Sequence, residues 1–258
     1  MSDALKQKNF VVLSIALFAF MLGWSVGLAK PLMDFMDPQS EAVSYIINKG
    51  VLAAVIVCAL WKMNAFAEVG YRRGAGFFSS IASFMIGIPL MALGIFSLMD
   101  PNRAPLTPME ISPWVVAIFL IAFTEETVFR GVMWKALESA SVWTRAITTS
   151  SIFGLIHFIP AGMGDFGWGI AAVYGLSAAG FGMVFAAMRE RAGSIWTVVV
   201  AHILFDIAAI SQAGNVSQLL EPGMETYIRF LTAAFIFSAW GATAILLINR
   251  RDRKLAAT

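Results

Sequence analysis

Six ionisable side chains lie inside apolar stretches of this sequence, where a soluble-protein pattern would not place them. They are Glu125, Glu126, Arg130, His157, His202 and Asp206. An ionisable side chain near the centre of a bilayer costs about 2.5–3.5 kcal/mol on insertion scales, so each one requires a reason. Both histidines of the chain belong to this set. The set therefore indicates chemistry that uses carboxylates and imidazoles within a membrane.

The spacing of the acidic residues separates two adjacent glutamates. Residues four apart share one face of a helix, whereas neighbours in sequence lie about 100° apart. Glu126 and Arg130 are therefore predicted to pair, which commits Glu126 to a supporting role. Glu125 lies on a different azimuth of the same helix and is the candidate general base.

The two histidines are each four residues from a second informative side chain. His202 and Asp206 have this spacing, and so do Phe153 and His157. The first pair lets an acid orient an imidazole, and an ionised Asp206 favours the protonated form of His202. The second pair places an aromatic ring one turn from the other imidazole.

Water is the predicted nucleophile, because no serine or threonine shows the sequence pattern of a catalytic triad. A desolvated glutamate can take a proton from water and later give it to a leaving amine, with a histidine assisting. The second histidine can donate to an oxyanion. Zinc is the alternative, with Glu125, His157 and His202 as ligands, although the zinc-protease motif H-E-x-x-H is absent.

The composition predicts a membrane protein that is helical throughout. Of 258 residues, 59% are hydrophobic and only 13% charged, whereas a soluble chain needs about a quarter of its residues charged. Disorder, coiled coil and soluble enzyme are excluded on this ground. The net charge of +2 and the scattered basic residues argue against nucleic acid as a partner. The single cysteine, Cys58, is predicted to be a packing residue.

Eight apolar runs are long enough to be candidate membrane helices, since about 20 helical residues cross a hydrocarbon core of about 30 Å. They are Phe10–Ala29, Val43–Trp61, Phe77–Met99, Pro113–Val132, Ala146–Phe158, Gly169–Met188, Ser194–Ile210 and Tyr227–Ile248. The expected fold is thus an all-α polytopic bundle of about eight transmembrane helices. The small residues of the sixth run, such as Gly175 and Gly182, allow close helix contact.

The loop charges predict the orientation of these helices. Thirteen Lys and Arg residues fall in one set of alternate loops, and only Lys30, Arg103 and Arg229 fall in the other. Cytoplasmic loops hold the positive excess, so both termini are predicted to be cytoplasmic. Lys49 is interpreted as a residue that extends towards the membrane surface from a helix end, and Arg130 as one near cytoplasmic water.

Counting the rise along each helix places three polar positions in one layer near the middle of the hydrocarbon core. With about 1.5 Å per residue, Glu125 lies roughly 18 Å from the outer face, and His157 and Asp206 lie roughly 18 Å from the inner face. These positions belong to three different predicted helices. A common polar layer is therefore expected inside the bundle.

Three ordered motifs resemble those of a known family. They are E-E-x-x-x-R at Glu125, Glu126 and Arg130, F-x-x-x-H at Phe153 and His157, and H-x-x-x-D at His202 and Asp206. Together they resemble the CPBP (Abi) family of intramembrane proteases, which joins CAAX prenyl endopeptidases to bacteriocin-processing and immunity proteins. The likeness covers Pro113–Ala209.

The resemblance implies a role for each motif residue. It implies that Glu125 and His157 activate water, that His202 lines the oxyanion site, and that Glu126 and Arg130 support them. Prenyl endopeptidases usually carry Asn where this chain has Asp206, and an ionised Asp cannot donate to an oxyanion. The family has been described both as metal-dependent and as a glutamate protease, and the sequence leaves both open.

The expected organisation has three parts: 1–112 without a recognised motif, 113–210 as the catalytic core, and 211–258 as a last helix with a basic cytoplasmic tail. The expected function is an intramembrane endopeptidase that needs no cofactor and cleaves a membrane-embedded or lipidated peptide. A proton-coupled transporter and a non-catalytic immunity or scaffold protein are the alternatives. The expected location is a bacterial plasma membrane.

Overall fold

A computed structural model describes residues 3–29, 31–32, 40–71, 76–98, 107–164 and 166–255 of the chain. These ranges are helices joined by short turns, and no β-strand occurs in them. The all-α prediction is therefore confirmed for this part of the chain. Five residues to which the sequence assigned a place lie outside the described residues: Lys30, Arg72, Arg73, Met99 and Arg103.

The long helices are numbered α1 to α8 in chain order. They are α1 (Asp3–Gly23, continued by a π-helical segment Trp24–Ala29), α2 (Glu41–Lys62), α3 (Phe77–Leu98), α4 (Pro108–Glu126, continued by a π-helical segment Thr127–Met133 and by Trp134–Ala136), α5 (Val142–Ile156), α6 (Trp168–Ala192), α7 (Trp196–Ala213) and α8 (Met224–Leu255). Two short helices, Ile159–Gly162 and Val216–Leu219, follow α5 and α7.

Four helices in the described ranges are long and apolar enough to cross a membrane. They are Gln7–Ala29, Glu41–Lys62, Trp168–Ala192 and Met224–Arg251, and two shorter apolar helices are Phe77–Leu93 and Trp196–Ser211. These helices support an integral membrane protein. The helix of the fifth predicted run is shorter, with 15 residues in Val142–Ile156.

Helix α4 begins five residues before the predicted start at Pro113. Thr107 accepts a hydrogen bond from the Glu110 backbone N–H at 3.4 Å, and the Glu110 carboxylate accepts from the Thr107 N–H at 2.7 Å. This reciprocal cap satisfies two backbone donors at the helix end, and Pro108 occupies the first turn, where its missing N–H is harmless. The cap starts the helix upstream of Pro113, so this proline lies inside the helix.

Helix α6 packs against α5 at a close approach between glycines. A Cβ atom on Gly154 would lie 2.6 Å from the Gly175 carbonyl oxygen, and one on Gly175 would lie 2.8 Å from the Gly154 carbonyl oxygen. No larger residue fits either position without a shift of one helix. The prediction that small residues of this run allow close helix contact is confirmed.

Cys58 departs from its predicted packing role. The residue lies on α2, and its side chain is exposed. An apolar neighbourhood in sequence does not distinguish the inward face of a membrane helix from the outward face, because both are apolar. The prediction for this residue was wrong.

Candidate active site

All four residues predicted to carry the chemistry line one cavity of about 880 Å³. Glu125 reaches it from α4, His157 from the turn after α5, and His202 and Asp206 from α7. Most of the remaining wall is apolar. Its aromatic members are Tyr45, Trp114, Phe153, Phe166, Tyr174, Phe181, Phe185, Phe205 and Phe230.

Glu126 connects two of the sequence motifs by bridging a guanidinium and an imidazole. Its Oε1 accepts from His202 Nδ1 at 2.8 Å and from Arg130 Nη1 at 3.3 Å, while Oε2 lies 3.2 Å from the same Nη1. The predicted pair of Glu126 and Arg130 is therefore present. The side chains of both residues are 0% exposed, so the pair is shielded from water.

Arg130 was predicted to lie near cytoplasmic water, and that prediction was wrong. Its guanidinium carbon lies 4.6 Å from the ring centroid of Phe153, 5.4 Å from that of Phe185 and 5.8 Å from that of Phe129. Aromatic faces attract cations, and the attraction grows when water is excluded. Three rings and one carboxylate thus compensate this buried charge. Gly182 makes room for it, since a Cβ there would lie 2.8 Å from Arg130 Nη2.

His202 is held between two carboxylates. Besides the contact of Nδ1 with Glu126, its Nε2 lies 3.3 Å from Asp206 Oδ2, so the predicted pair with Asp206 is present. Ionised carboxylates only accept hydrogen bonds, so with both ionised each imidazole nitrogen donates and the ring is an imidazolium. The ring also stacks on Phe185, with 5.2 Å between centroids.

His157 lies at the residue that ends α5 and not within the helix. Its Nδ1 lies 2.7 Å from the Phe153 carbonyl oxygen. A carbonyl oxygen can only accept, so Nδ1 carries the proton, and in the neutral form of the ring Nε2 is the acceptor. The rings of Phe153 and Tyr174 enclose the imidazole at 4.9 and 4.8 Å between centroids.

Lys49 is a residue of this cavity that the sequence analysis placed wrongly. It does not extend to the membrane surface, because its Nζ lies 2.7 Å from Glu125 Oε1. A single lysine near the end of a membrane helix usually extends its ammonium to the membrane surface, so its sequence position did not indicate a contact with Glu125. The one available signal was the excess of candidate acids over cations in the predicted polar layer.

The zinc alternative does not fit this donor arrangement. His202 directs both nitrogens at carboxylates, and one oxygen of Glu125 faces the Lys49 ammonium, which repels a metal cation. Among the described residues, no group of three or more His, Cys, Asp or Glu side chains is placed to hold a metal ion.

Among the four residues predicted to carry the chemistry, two offer a proton acceptor that Glu126 and its partners do not engage. One is the carboxylate of Glu125, and the other is Nε2 of His157. Each can accept a proton from a water molecule held beside it. Glu126, Arg130, His202 and Asp206 are engaged with one another and connect α4 with α7 beside the cavity.

The chain matches one family model, described as type II CAAX prenyl endopeptidase Rce1-like, over residues 107–208. The match begins at the cap of α4 and ends two residues after Asp206, so it contains all three motifs. A comparison with curated proteins gave no match. The family is a protease family, which supports a peptidase. Residues 107–208 of this chain are therefore similar to the Rce1-like domain of type II CAAX prenyl endopeptidases.

Proposed function

We propose that this protein is an intramembrane endopeptidase that hydrolyses a peptide bond of a membrane-associated or lipidated peptide. One observation carries the proposal: Glu125 and His157 line the same cavity, inside the segment that matches the protease family. The apolar helices around that cavity support a reaction within the membrane.

The proposed reaction uses water as the nucleophile. The water oxygen attacks the scissile carbonyl carbon while Glu125 takes one of its protons, and His157 Nε2 orients the water through its second hydrogen. The electron pair of the carbonyl π bond moves to oxygen and forms a tetrahedral oxyanion. When this intermediate collapses, the C–N bond breaks and Glu125 gives its proton to the leaving amine. Both products are then released, and the carboxylate is restored.

His202, Asp206, Glu126 and Arg130 support this site in the proposal. The Glu126 carboxylate holds His202, and Asp206 lies on the opposite side of the same ring. This arrangement fixes the orientation of the imidazolium, whose positive charge favours the oxyanion over the neutral carbonyl. Phe153 packs against both imidazoles and the guanidinium, with 6.4 Å between its centroid and that of His202.

The proposed substrate is an apolar or lipid-bearing peptide. The cavity has a mainly apolar wall, and its volume of about 880 Å³ falls within the range of pockets that enclose drug-sized ligands. The matching family is described by its action on CAAX prenyl proteins, whose lipid would occupy such a wall. The lipid bilayer is then the medium through which the substrate arrives.

We further propose eight membrane-spanning helices with both termini in the cytoplasm of a bacterium, and activity without a metal cofactor. The eight long helices α1 to α8 correspond in order to the eight predicted runs. The loop charges support the orientation. The engagement of His202 with two carboxylates supports a mechanism without metal.

Hydrolysis by the purified full-length protein tests the proposal. A panel of reporter peptides, prenylated and unprenylated, is incubated with wild type, Glu125→Gln and the control Glu225→Gln, which changes an exposed residue outside the cavity. Products are identified by mass, with ¹⁸O-labelled water entering the new carboxylate. We expect cleavage by wild type and by the control, and none by Glu125→Gln.

Two results would contradict the proposal. Near-normal turnover by Glu125→Gln would show that the assigned base is wrong. Absence of cleavage of any reporter, together with membrane proteomes that contain no accumulated precursor when only the Glu125→Gln copy is present, would exclude a peptidase and leave transport or a scaffold role.

A further inference from the structure

Hydrolysis in this cavity requires a hydrogen-bond donor for the oxyanion, and the predicted catalytic residues do not provide a free one. Glu125 and Asp206 accept hydrogen bonds when ionised. His157 uses Nδ1–H on the Phe153 carbonyl and presents the bare Nε2 to the cavity. His202 directs both nitrogens at carboxylates. The intermediate thus lacks an uncommitted donor among these four side chains.

Lys49 carries the missing donor groups. Its ammonium has three N–H bonds, and in the part of the chain that the structure describes it contacts Glu125 Oε1 at 2.7 Å. One N–H is used there, which leaves two for the cavity that Lys49 also lines. The side chain is 14% exposed, so the head group is accessible from the cavity while most of it is shielded.

The neighbours of Lys49 fix its position on α2. Trp24, in the π-helical segment after α1, donates from Nε1 to Asn48 Oδ1 at 2.8 Å. The ring of Tyr45 packs against Trp114 of α4, with 5.8 Å between centroids. These contacts hold α2 from two sides at the turn that carries Lys49. Its ammonium is therefore preorganised beside Glu125.

We infer that Lys49 is a catalytic residue whose ammonium donates a hydrogen bond to the oxyanion formed in this cavity. The inference rests on the proposed function. When Glu125 takes a proton from water, its negative charge is neutralised and an equal charge develops on the substrate carbonyl oxygen. The Lys49 ammonium beside Glu125 is then adjacent to the new charge. It can donate to the substrate oxyanion in place of the neutralised Glu125 carboxylate without rearrangement of the site.

A kinetic comparison of Lys49→Met with wild type tests this role. Removal of one oxyanion donor reduces turnover by ~10²–10³, so we expect kcat to fall by that factor with a nearly unchanged KM for the reporter peptide. Lys62→Met makes the same substitution at an exposed residue of α2 outside the cavity and is the matched control, for which we expect the wild-type kcat. Undiminished kcat in Lys49→Met, or an equal loss in Lys62→Met, would overturn the inference.

A second variant separates a catalytic role of Lys49 from a purely structural one. Asp206→Asn adds an amide that can donate, so Lys49→Met combined with Asp206→Asn should recover at least about tenfold in kcat relative to Lys49→Met. Loss of a merely structural ion pair would not be rescued by a donor on α7. Equal kcat in the single and double variants would overturn the inference.

Inhibitor binding provides a measurement that does not depend on turnover. A peptidyl phosphonate mimics the anionic intermediate, whereas the corresponding peptide amide is neutral. We expect Lys49→Met to weaken binding of the phosphonate at least tenfold more than binding of the amide. Equal weakening of both would contradict the role. If wild type cleaves and Glu125→Gln does not, such a result concerns Lys49 alone, whereas inactive wild type would refute the proposed function itself.

Discussion

His202 Nδ1 donates to Glu126 Oε1 at 2.8 Å, although 76 positions of sequence separate the two residues. The same carboxylate is the partner of Arg130, so one acidic side chain contacts two basic side chains, Arg130 and His202. Removal of Arg130 or His202 leaves Glu126 with one partner. Removal of the Glu126 carboxylate leaves both Arg130 and His202 without their shared acidic partner.

Glu126→Gln should therefore destabilise the protein more than Glu125→Gln. Breaking a buried charge pair typically costs about 3–5 kcal/mol, because the remaining charge is uncompensated. At Glu125, which lines the cavity, the Gln amide oxygen can still accept from Lys49. Thermal unfolding of the detergent-solubilised variants measures the difference. Equal midpoints for the two variants would show that Glu126 does not organise the buried charges.

Arg130→Lys should destabilise the protein, although it preserves the positive charge. A lysine keeps the positive charge but loses the planar group that packs on Phe153 and faces Glu126 with two oxygens within reach. We expect a lower unfolding midpoint than wild type and a higher one than Arg130→Ala. Wild-type stability in Arg130→Lys would mean that charge alone, without the aromatic contacts, stabilises this position.

His202→Ala and Asp206→Asn should differ in activity. In the proposed mechanism, loss of His202 removes a positive charge that favours the oxyanion, and turnover should fall by at least about 10². Asp206→Asn keeps a polar partner on His202 and should retain substantial activity. One reporter peptide suffices for both measurements. Complete and equal loss would instead show that Asp206 takes a direct part in proton transfer.

Gly182→Ala should disturb the guanidinium without any change of charge. The new Cβ would lie 2.8 Å from Arg130 Nη2 and 2.9 Å from Ser150 Cβ, and overpacking of this kind costs about 1–3 kcal/mol. Gly50→Ala is the matched control, because a Cβ there meets nothing within 4 Å. We expect a lower unfolding midpoint only for Gly182→Ala. A wild-type midpoint would show that Arg130 has room to move.

Reporter fusions test the proposed orientation. Fusions that end at Ser139 or Gly193 should report the cytoplasm, and one that ends at Gly214 should report the opposite side, as the distribution of Lys and Arg predicts. A fusion ended at the C-terminus should also report the cytoplasm. An external signal from Gly193 would contradict both the orientation and the common depth of the polar layer.

Contacts within one helix were predictable from spacing, and contacts between helices were not. The pairs of Glu126 with Arg130 and of His202 with Asp206 follow from 3.6 residues per turn. The contact of Glu126 with His202 depends on how α4 and α7 are placed against each other, which no local spacing encodes. Lys49 was missed for the same reason, since its partner is 76 positions away on another helix.

The burial of Arg130 illustrates a second limit of sequence reasoning. A count along α4 estimates the distance of this residue from the membrane surface, but it says nothing about the rings that surround it. Two of the three rings around the guanidinium come from other helices, Phe153 from α5 and Phe185 from α6. Tertiary packing therefore determines the exposure of Arg130, whatever its depth.

The cavity wall has a consequence for how this protein can be divided. Lys49 of α2, Met21 of α1 and Phe230 of α8 all line the cavity, and all lie outside residues 107–208. A fragment limited to residues 107–208 would keep every motif but would lack the parts of the cavity wall that α1, α2 and α8 contribute. Under the proposed function, the smallest active unit is therefore larger than the region of sequence similarity. Motif helices grafted onto another scaffold would carry Glu125, His157 and His202 without the cavity wall that α1, α2 and α8 contribute.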